Sequence, residues 1–258
     1  MKRDICKGIQ VLNEDGPRKL FSLLPNYIDR KTEWPFRRIL IVNRHLINQI
    51  RYNAVAHPYK IVFVSPDIIT RYTREFDKWE SVARIQGGEW DQNARPITEM
   101  KKYVAVRERI EKEKEWSETG IYEHLLNRLD NEEISDVDGC TSAKELKNRY
   151  KSIDNLISSL QENGYDLRRH INPPEWWQCY NIDYVAAHIG RNGEFIFGMS
   201  GCHRLTICKI LDIGPIPVWI RARHSKWQKI RESIDYADGE HGDYIYHPDI
   251  QDLLLKEH

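Results

Sequence analysis

Gly198-Met199-Ser200-Gly201-Cys202-His203-Arg204 concentrates two glycines, a hydroxyl, a thiol, an imidazole and a guanidinium in seven residues. Phe195-Ile196-Phe197 before it reads as a short apolar strand, and Leu205, Cys208 and Leu211 after it recur at helical spacing. A strand that turns at glycine into a helix aims the helix's first N–H groups, and the positive end of its dipole, at the strand's exit. Such a turn suits a phosphate, and Arg204 adds a donor that clamps phosphate oxygens in pairs. The same pattern equally suits a buried strand–turn–helix whose glycines only permit close packing. The local spacing does not choose between these.

Two further sets carry chemistry. Gly87-Gly88 is followed at once by Glu89-Trp90-Asp91, where either carboxylate could serve as a general base or as an oxygen ligand for Mg²⁺. The competing reading is a surface turn with its tryptophan packed inward. Arg221, Arg223 and His224 follow an apolar strand and are read as a clamp for a second anionic group, on substrate or nucleotide; a solvated strand end is the alternative. His241, Asp243, His247 and Asp249 suggest metal ligands only superficially, and their neighbours Ile250, Leu253 and Leu254 read more simply as a terminal packing helix.

Residues 193–205, followed by Ile216-Pro217-Val218-Trp219-Ile220, resemble the core of the ParB/sulfiredoxin superfamily. Its members run strand, glycine turn with a basic pair, helix, short loop and a strand of the Ile/Val-Pro-Val type. Sulfiredoxins carry Gly-Gly-Cys-His-Arg at the turn, chromosome-partitioning ParB proteins Gly-Glu-Arg-Arg, and the free-serine kinases an Asp-Gly-His-His-Arg type; this chain has Ser200-Gly201-Cys202-His203-Arg204. The match is firmest over 182–222. A loosely defined microbial group with a similar Gly-Gly-acid-Trp-Asp turn upstream of such a core extends it to about 60–235.

The resemblance implies an α+β fold with a ParB/sulfiredoxin-like core, a small mixed sheet with flanking helices, preceded by a mainly helical N-terminal region. It implies nucleotide phosphates on Gly198, Ser200, Gly201, Cys202, His203 and Arg204, with ATP or another nucleotide and Mg²⁺ as cofactors. Three functions follow. The first is an ATP-dependent phosphotransferase, a kinase acting on a small molecule, with Asp91, Glu89 and His203 catalytic and Arg221, Arg223 and His224 on substrate. The second is a ParB-like, nucleotide-gated DNA-binding or regulatory module. The third is a sulfiredoxin-like reductase with Cys202 as nucleophile, activated by a helix N-terminus and by His203 and Arg204.

The elements that must position these residues are partly legible. Arg38-Ile39-Leu40-Ile41-Val42 fits a strand or a helix start, Tyr59–Val64 a strand, and Ser65 or Asp67 a cap for a short helix through Tyr72. Thr98 to about Trp116 reads as a charged helix and 120–130 as a second. Ser142 with Glu145 forms a capping box, and Leu146, Tyr150, Ile153, Ile157 and Leu160 give the clearest apolar stripe before Gly164. Asp183–Gly190 reads as the first core strand, with Arg191-Asn192-Gly193 as its hairpin turn. The expected organisation is an accessory region over 1–75, a nucleotide-binding domain over 76–235 with a helical insertion at 97–140, and a tail helix over 236–258.

Composition narrows the classes. Lys+Arg and Asp+Glu are equal at 39 each in 258 residues, which counts against a dedicated nucleic-acid binder. No apolar run reaches the length of a membrane span and no signal-peptide core opens the chain. Five cysteines without paired spacing point to free thiols in a cytoplasmic protein and away from zinc. A small-molecule partner is expected; the oligomeric state stays open.

Overall fold

The computed structural model describes residues 39–76, 80–130, 137–165, 184–236 and 244–254. Among these the chain is α+β, with seven α-helices and a seven-stranded mixed sheet. Helix α1 spans 39–51, so the apolar run at 39–42 is helical. Strand β1 (Ile61–Val64) is followed by a 3₁₀ turn (Pro66–Ile68) that Ser65 caps, and then by β2 (Arg71–Tyr72), so the short helix expected through Tyr72 ends early. β3 (Arg84–Gln86), β4 (Arg95–Pro96), α2 (Lys101–Glu111), α3 (Ile121–Leu129) and α4 (Ala143–Asn163) come next. The core closes with β5 (Val185–Ile189), β6 (Phe195–Phe197), α5 (Cys202–Ile210), β7 (Ile216–His224), α6 (Ser225–Tyr236) and α7 (Gln251–Leu254).

β7 is buried at all nine positions and is the strand around which the sheet is built. One of its edges pairs with β5, in parallel; the other is shared by β1, antiparallel to its first half, and β3, parallel to its end. The order runs β1-β7-β5-β6-β2-β4. Residues 61–72, assigned from sequence to an accessory region, therefore supply two strands of the same sheet that carries the glycine turn.

Alternation along the strands divides the side chains between two faces. Val185, Ala187, Phe197, Val218 and Ile220 pack with Leu205 and Ile207 of α5 and with the apolar stripes of α2, α3 and α4. On the other face Trp219 packs with Ile41 of α1, Tyr59, Val82 and Tyr184, and Ile196 and Ala222 pack with Phe76 and Trp90. The β5–β7 register slips at Ala187/His188, where Ile220 pairs with Ala187 and Ala222 with His188. Arg221 is the extra residue of that bulge, and such a residue re-aims its side chain.

The helices follow local chemistry modified by tertiary contacts. Ser142 accepts the Glu145 N–H at 3.3 Å, while the Glu145 carboxylate reaches one residue beyond the usual capping box to the N–H of Thr141, 2.7 Å away. Gly164, at φ 63°, donates to the Leu160 carbonyl and stops α4. α2 is shorter than the charge pattern suggested. Asp154 on α4 accepts from both Arg109 and the Trp116 indole at 3.0 Å, and this draws the chain after Glu111 out of the helix and onto α4. The expected helix around Leu20–Leu24 and the Pro173–Trp177 crossing lie outside the described residues.

Candidate functional site

The strand, glycine turn and helix form in the predicted order. At the exit of β6, the Gly198 N–H donates to the Ala186 carbonyl at 2.8 Å and the Ala186 N–H donates to the Ser200 carbonyl at 3.0 Å, stitching the turn to the start of β5. Both glycines are there because of β5. A Cβ on Gly198 would sit 2.7 Å from His188 Nε2, and one on Gly201 would sit 2.8 Å from Val185 Cα and 2.9 Å from the Tyr184 carbonyl oxygen. Met199 and Gly201 both take left-handed conformations, with φ 64° and 78°. Only glycine adopts that conformation at little cost. α5 then starts without a side-chain cap, and its first internal bond runs from the Leu205 N–H to the Gly201 carbonyl at 3.0 Å. The amides of its first turn point out of the helix beside Ser200, Cys202 and Arg204, all three partly exposed.

His203 turns the other way. It is buried against Tyr150 of α4, with ring centroids 5.8 Å apart and the planes nearly perpendicular. Next to it Asp138 forms a short ion pair with Lys102 of α2. Asp138 Oδ2, the Tyr150 hydroxyl and His203 Nε2 are all buried without a hydrogen-bond partner. Burial, seconded by the Lys102 ammonium, lowers the His203 pKa to about 4, leaving the ring neutral. Although burial works against it, Lys102 holds the Asp138 carboxyl below its usual range. Burial likewise raises the Tyr150 hydroxyl, and it pushes the Cys202 thiol up to about 11. Cys202 is thus a thiol at neutral pH despite its place at a helix N-terminus; enclosure outweighs the dipole.

Glu89 and Asp91 are not brought to this turn. Asp91 is fully buried and receives Arg191 three times: from the backbone N–H at 2.9 Å, from Nε at 2.8 Å and from Nη2 at 2.7 Å. Burial opposes its ionisation, yet the Arg191 bonds bring its pKa down to about 2. Glu89 is largely exposed and meets the same guanidinium at 3.1 Å. Arg191 follows the far end of β5, whereas Gly201 packs on Val185 at its beginning. Six extended residues separate those points by roughly 20 Å. The expected base or Mg²⁺ ligand is a clamp on the β5–β6 hairpin.

The Arg221/Arg223/His224 cluster is also divided, because the bulge sends the two arginines to opposite faces. Arg221 lies over the Trp219 ring at 4.6 Å and its Nη1 donates to the Gly198 carbonyl at 3.3 Å, directly beneath the turn. Arg223 instead makes a paired contact with Asp249 at 2.8 and 2.6 Å. Asp249 also receives the Trp227 indole at 2.9 Å and lies 3.5 Å from Lys60, so it is the buried counter-ion of a structural network. His224 accepts the Lys226 N–H on Nδ1, and its Nε2 meets the Gly88 carbonyl at 3.1 Å. Of the three, only Arg221 touches the turn.

Lys102, Asp138 and Tyr150 were not foreseen as partners of the turn, because they come from three separate segments. The single local signal was His203, adjacent to the basic residue. His247 stacks on Phe195 at 5.1 Å, and among the described residues no group of three or more His, Cys, Asp or Glu side chains is arranged to hold a metal ion. Nor is any described helix long and apolar enough to cross a membrane. Comparison of the chain with protein-family models, with curated proteins and with solved structures finds no match.

Proposed function

We propose that this protein binds a nucleotide through the 198–204 turn and acts as a phosphotransferase on a small molecule. The observation that carries the reading is the rigid, uncapped start of α5. Its backbone is fixed by two bonds to β5, its N-cap Gly201 is jammed against Val185, and Arg204 stands in its first turn. Amides held in this way meet phosphate oxygens without further reorganisation. Arg221 adds positive charge under the Gly198 carbonyl. Ser200, Gly201, Cys202 and Arg204 contribute backbone or side-chain donors, whereas Gly198 and His203 support the turn from within.

Phosphoryl transfer rests on positioning and charge neutralisation. Mg²⁺ would come with the nucleotide on its phosphate oxygens and would neutralise their charge; with Glu89 and Asp91 held by Arg191, the turn itself offers it no carboxylate. The reductase reading is disfavoured by the raised Cys202 thiol, whose sulfur is enclosed although the residue is partly exposed. The ParB-like module gains no specific support from the site.

Thermal-shift screening of nucleoside triphosphates, with and without Mg²⁺, tests the reading, because a ligand of the native state raises its stability. Arg204→Ala should remove about 1.5–3 kcal/mol of a charge-assisted contact and weaken binding roughly tenfold or more. Unchanged nucleotide affinity in a folded Arg204→Ala protein, or no stabilisation by any nucleotide, rejects it.

A further inference from the structure

We propose that Asp138, Tyr150 and His203 form the pocket for the acceptor's hydroxyl, with Asp138 Oδ2 as the base that receives its proton. The proposal rests on the phosphotransferase reading above and identifies the carboxylate that reading lacks at Asp91.

Three elements bring unpartnered polar atoms together: Asp138 Oδ2 from the turn at 137–140, the Tyr150 hydroxyl from α4 and His203 Nε2 from α5. Folds rarely leave such atoms unsatisfied, so three on neighbouring residues mark a place for a polar guest. Their chemistry selects it. Asp138 Oδ2 only accepts, the phenol of Tyr150 keeps its proton and donates, and neutral His203 fills either role by tautomer. A hydroxyl, with one proton to give and lone pairs to receive, satisfies that set. Lys102 already balances the charge of Asp138, which favours a neutral polar guest over an ion.

The cluster is partly exposed at one end and buried at the other. The side chains of Asp138 and Lys102 are 18% and 23% exposed, whereas Tyr150 and His203 are buried. Its partly exposed Asp138–Lys102 edge adjoins the first turn of α5, since both charges act on Cys202. The acceptor would thus stand beside the phosphates. In the step, the acceptor's O–H bond breaks and its proton goes to Asp138 Oδ2. The oxygen's electron pair forms a bond to the terminal phosphorus of a nucleoside triphosphate. The phosphorus–oxygen bond to the nucleoside diphosphate breaks, and that product leaves with the electron pair.

The test uses the full chain, Mg·ATP, and glycerol as a hydroxyl probe competing with water. Calorimetry gives the ATP affinity of wild type, Asp138→Asn and Tyr150→Phe, expected within threefold of one another. Phosphorus NMR follows transfer to glycerol or water across pH 4–9. Asp138→Asn should cut transfer by about 10²-fold or more at every pH in that range, where Lys102 keeps the wild-type carboxyl ionised. Tyr150→Phe, which removes one hydroxyl from a packed ring, should raise the KM for glycerol with kcat little changed. Without ATP, glycerol should shift the imidazole resonance of His203. Wild-type transfer rates in Asp138→Asn, ATP binding without transfer to either acceptor, or an unmoved His203 resonance each overturn the pocket. Absence of ATP binding overturns the phosphate reading instead, and the His203 resonance still decides the pocket.

Discussion

Replacing Asp91 by Asn separates a clamp from a catalyst. Wild-type Asp91 accepts three bonds from Arg191, two of them from the guanidinium, at a position sealed from solvent. The amide keeps the bond from the backbone N–H but loses its charge, and Arg191 is left with the Gly88 carbonyl at 2.8 Å and the exposed Glu89. Breaking one side of a pair buried to this degree costs about 3 kcal/mol. At ~2–4 °C per kcal/mol for a domain of this size, the midpoint of thermal unfolding should fall by roughly 6–12 °C. The pH dependence has a definite sign. A carboxyl whose folded pKa is about 2, below its ordinary 3.8, adds stability that is fully present above about pH 4 and is lost as pH falls toward 2. Urea titrations between pH 2 and 7 should show that slope in wild type and a shallower one in Asp91→Asn. A variant that unfolds with wild type yet loses phosphoryl transfer a hundredfold would refute the clamp and restore Asp91 to the chemistry.

Two other outcomes follow from the same geometry. Gly201→Ala should cost about 2–3 kcal/mol, since left-handed strain of ~1 kcal/mol is compounded by contact with backbone atoms of Tyr184 and Val185; Gly120→Ala, also left-handed but facing open space, should cost only the strain. Equal urea midpoints for the two would show that the turn is not wedged against β5. Cys202, with its thiol raised to about 11, should alkylate with iodoacetamide more slowly in the folded protein than an ordinary cysteine, and faster as pH approaches 11. Peptide mapping reads this site by site, and rapid labelling of Cys202 at pH 7 would reverse the assignment.

What the sequence revealed was local. The turn at 198–204 was legible because glycine, strand and helical spacing lie within a dozen residues, and α4 because Ser142, its stripe and Gly164 obey one period. The roles of the carboxylates were not legible. Asp91 is defined by Arg191, a hundred residues on, and a flexible glycine turn looks the same whether it swings toward a phosphate or a hairpin. Arg221 and Arg223 looked like a pair because alternate residues share a face of a regular strand; the bulge at Arg221 breaks that rule, and no residue type announces it. The Lys102–Asp138–Tyr150–His203 cluster draws on four segments that only the packing of α2, α4 and α5 unites.

The central place of β7 has a consequence for how the molecule is made. β1, β3 and β5 each use an edge of a strand that begins at Ile216. During synthesis, β7 must leave the ribosome before any of the three can find that neighbour. The β5–β6 hairpin and helices α1 to α5 can form earlier, but they wait for a keystone delivered late. Contacts so distant in sequence slow folding. Until β7 arrives, the apolar edges of β1 and β5 are the surfaces that a nascent-chain chaperone would meet.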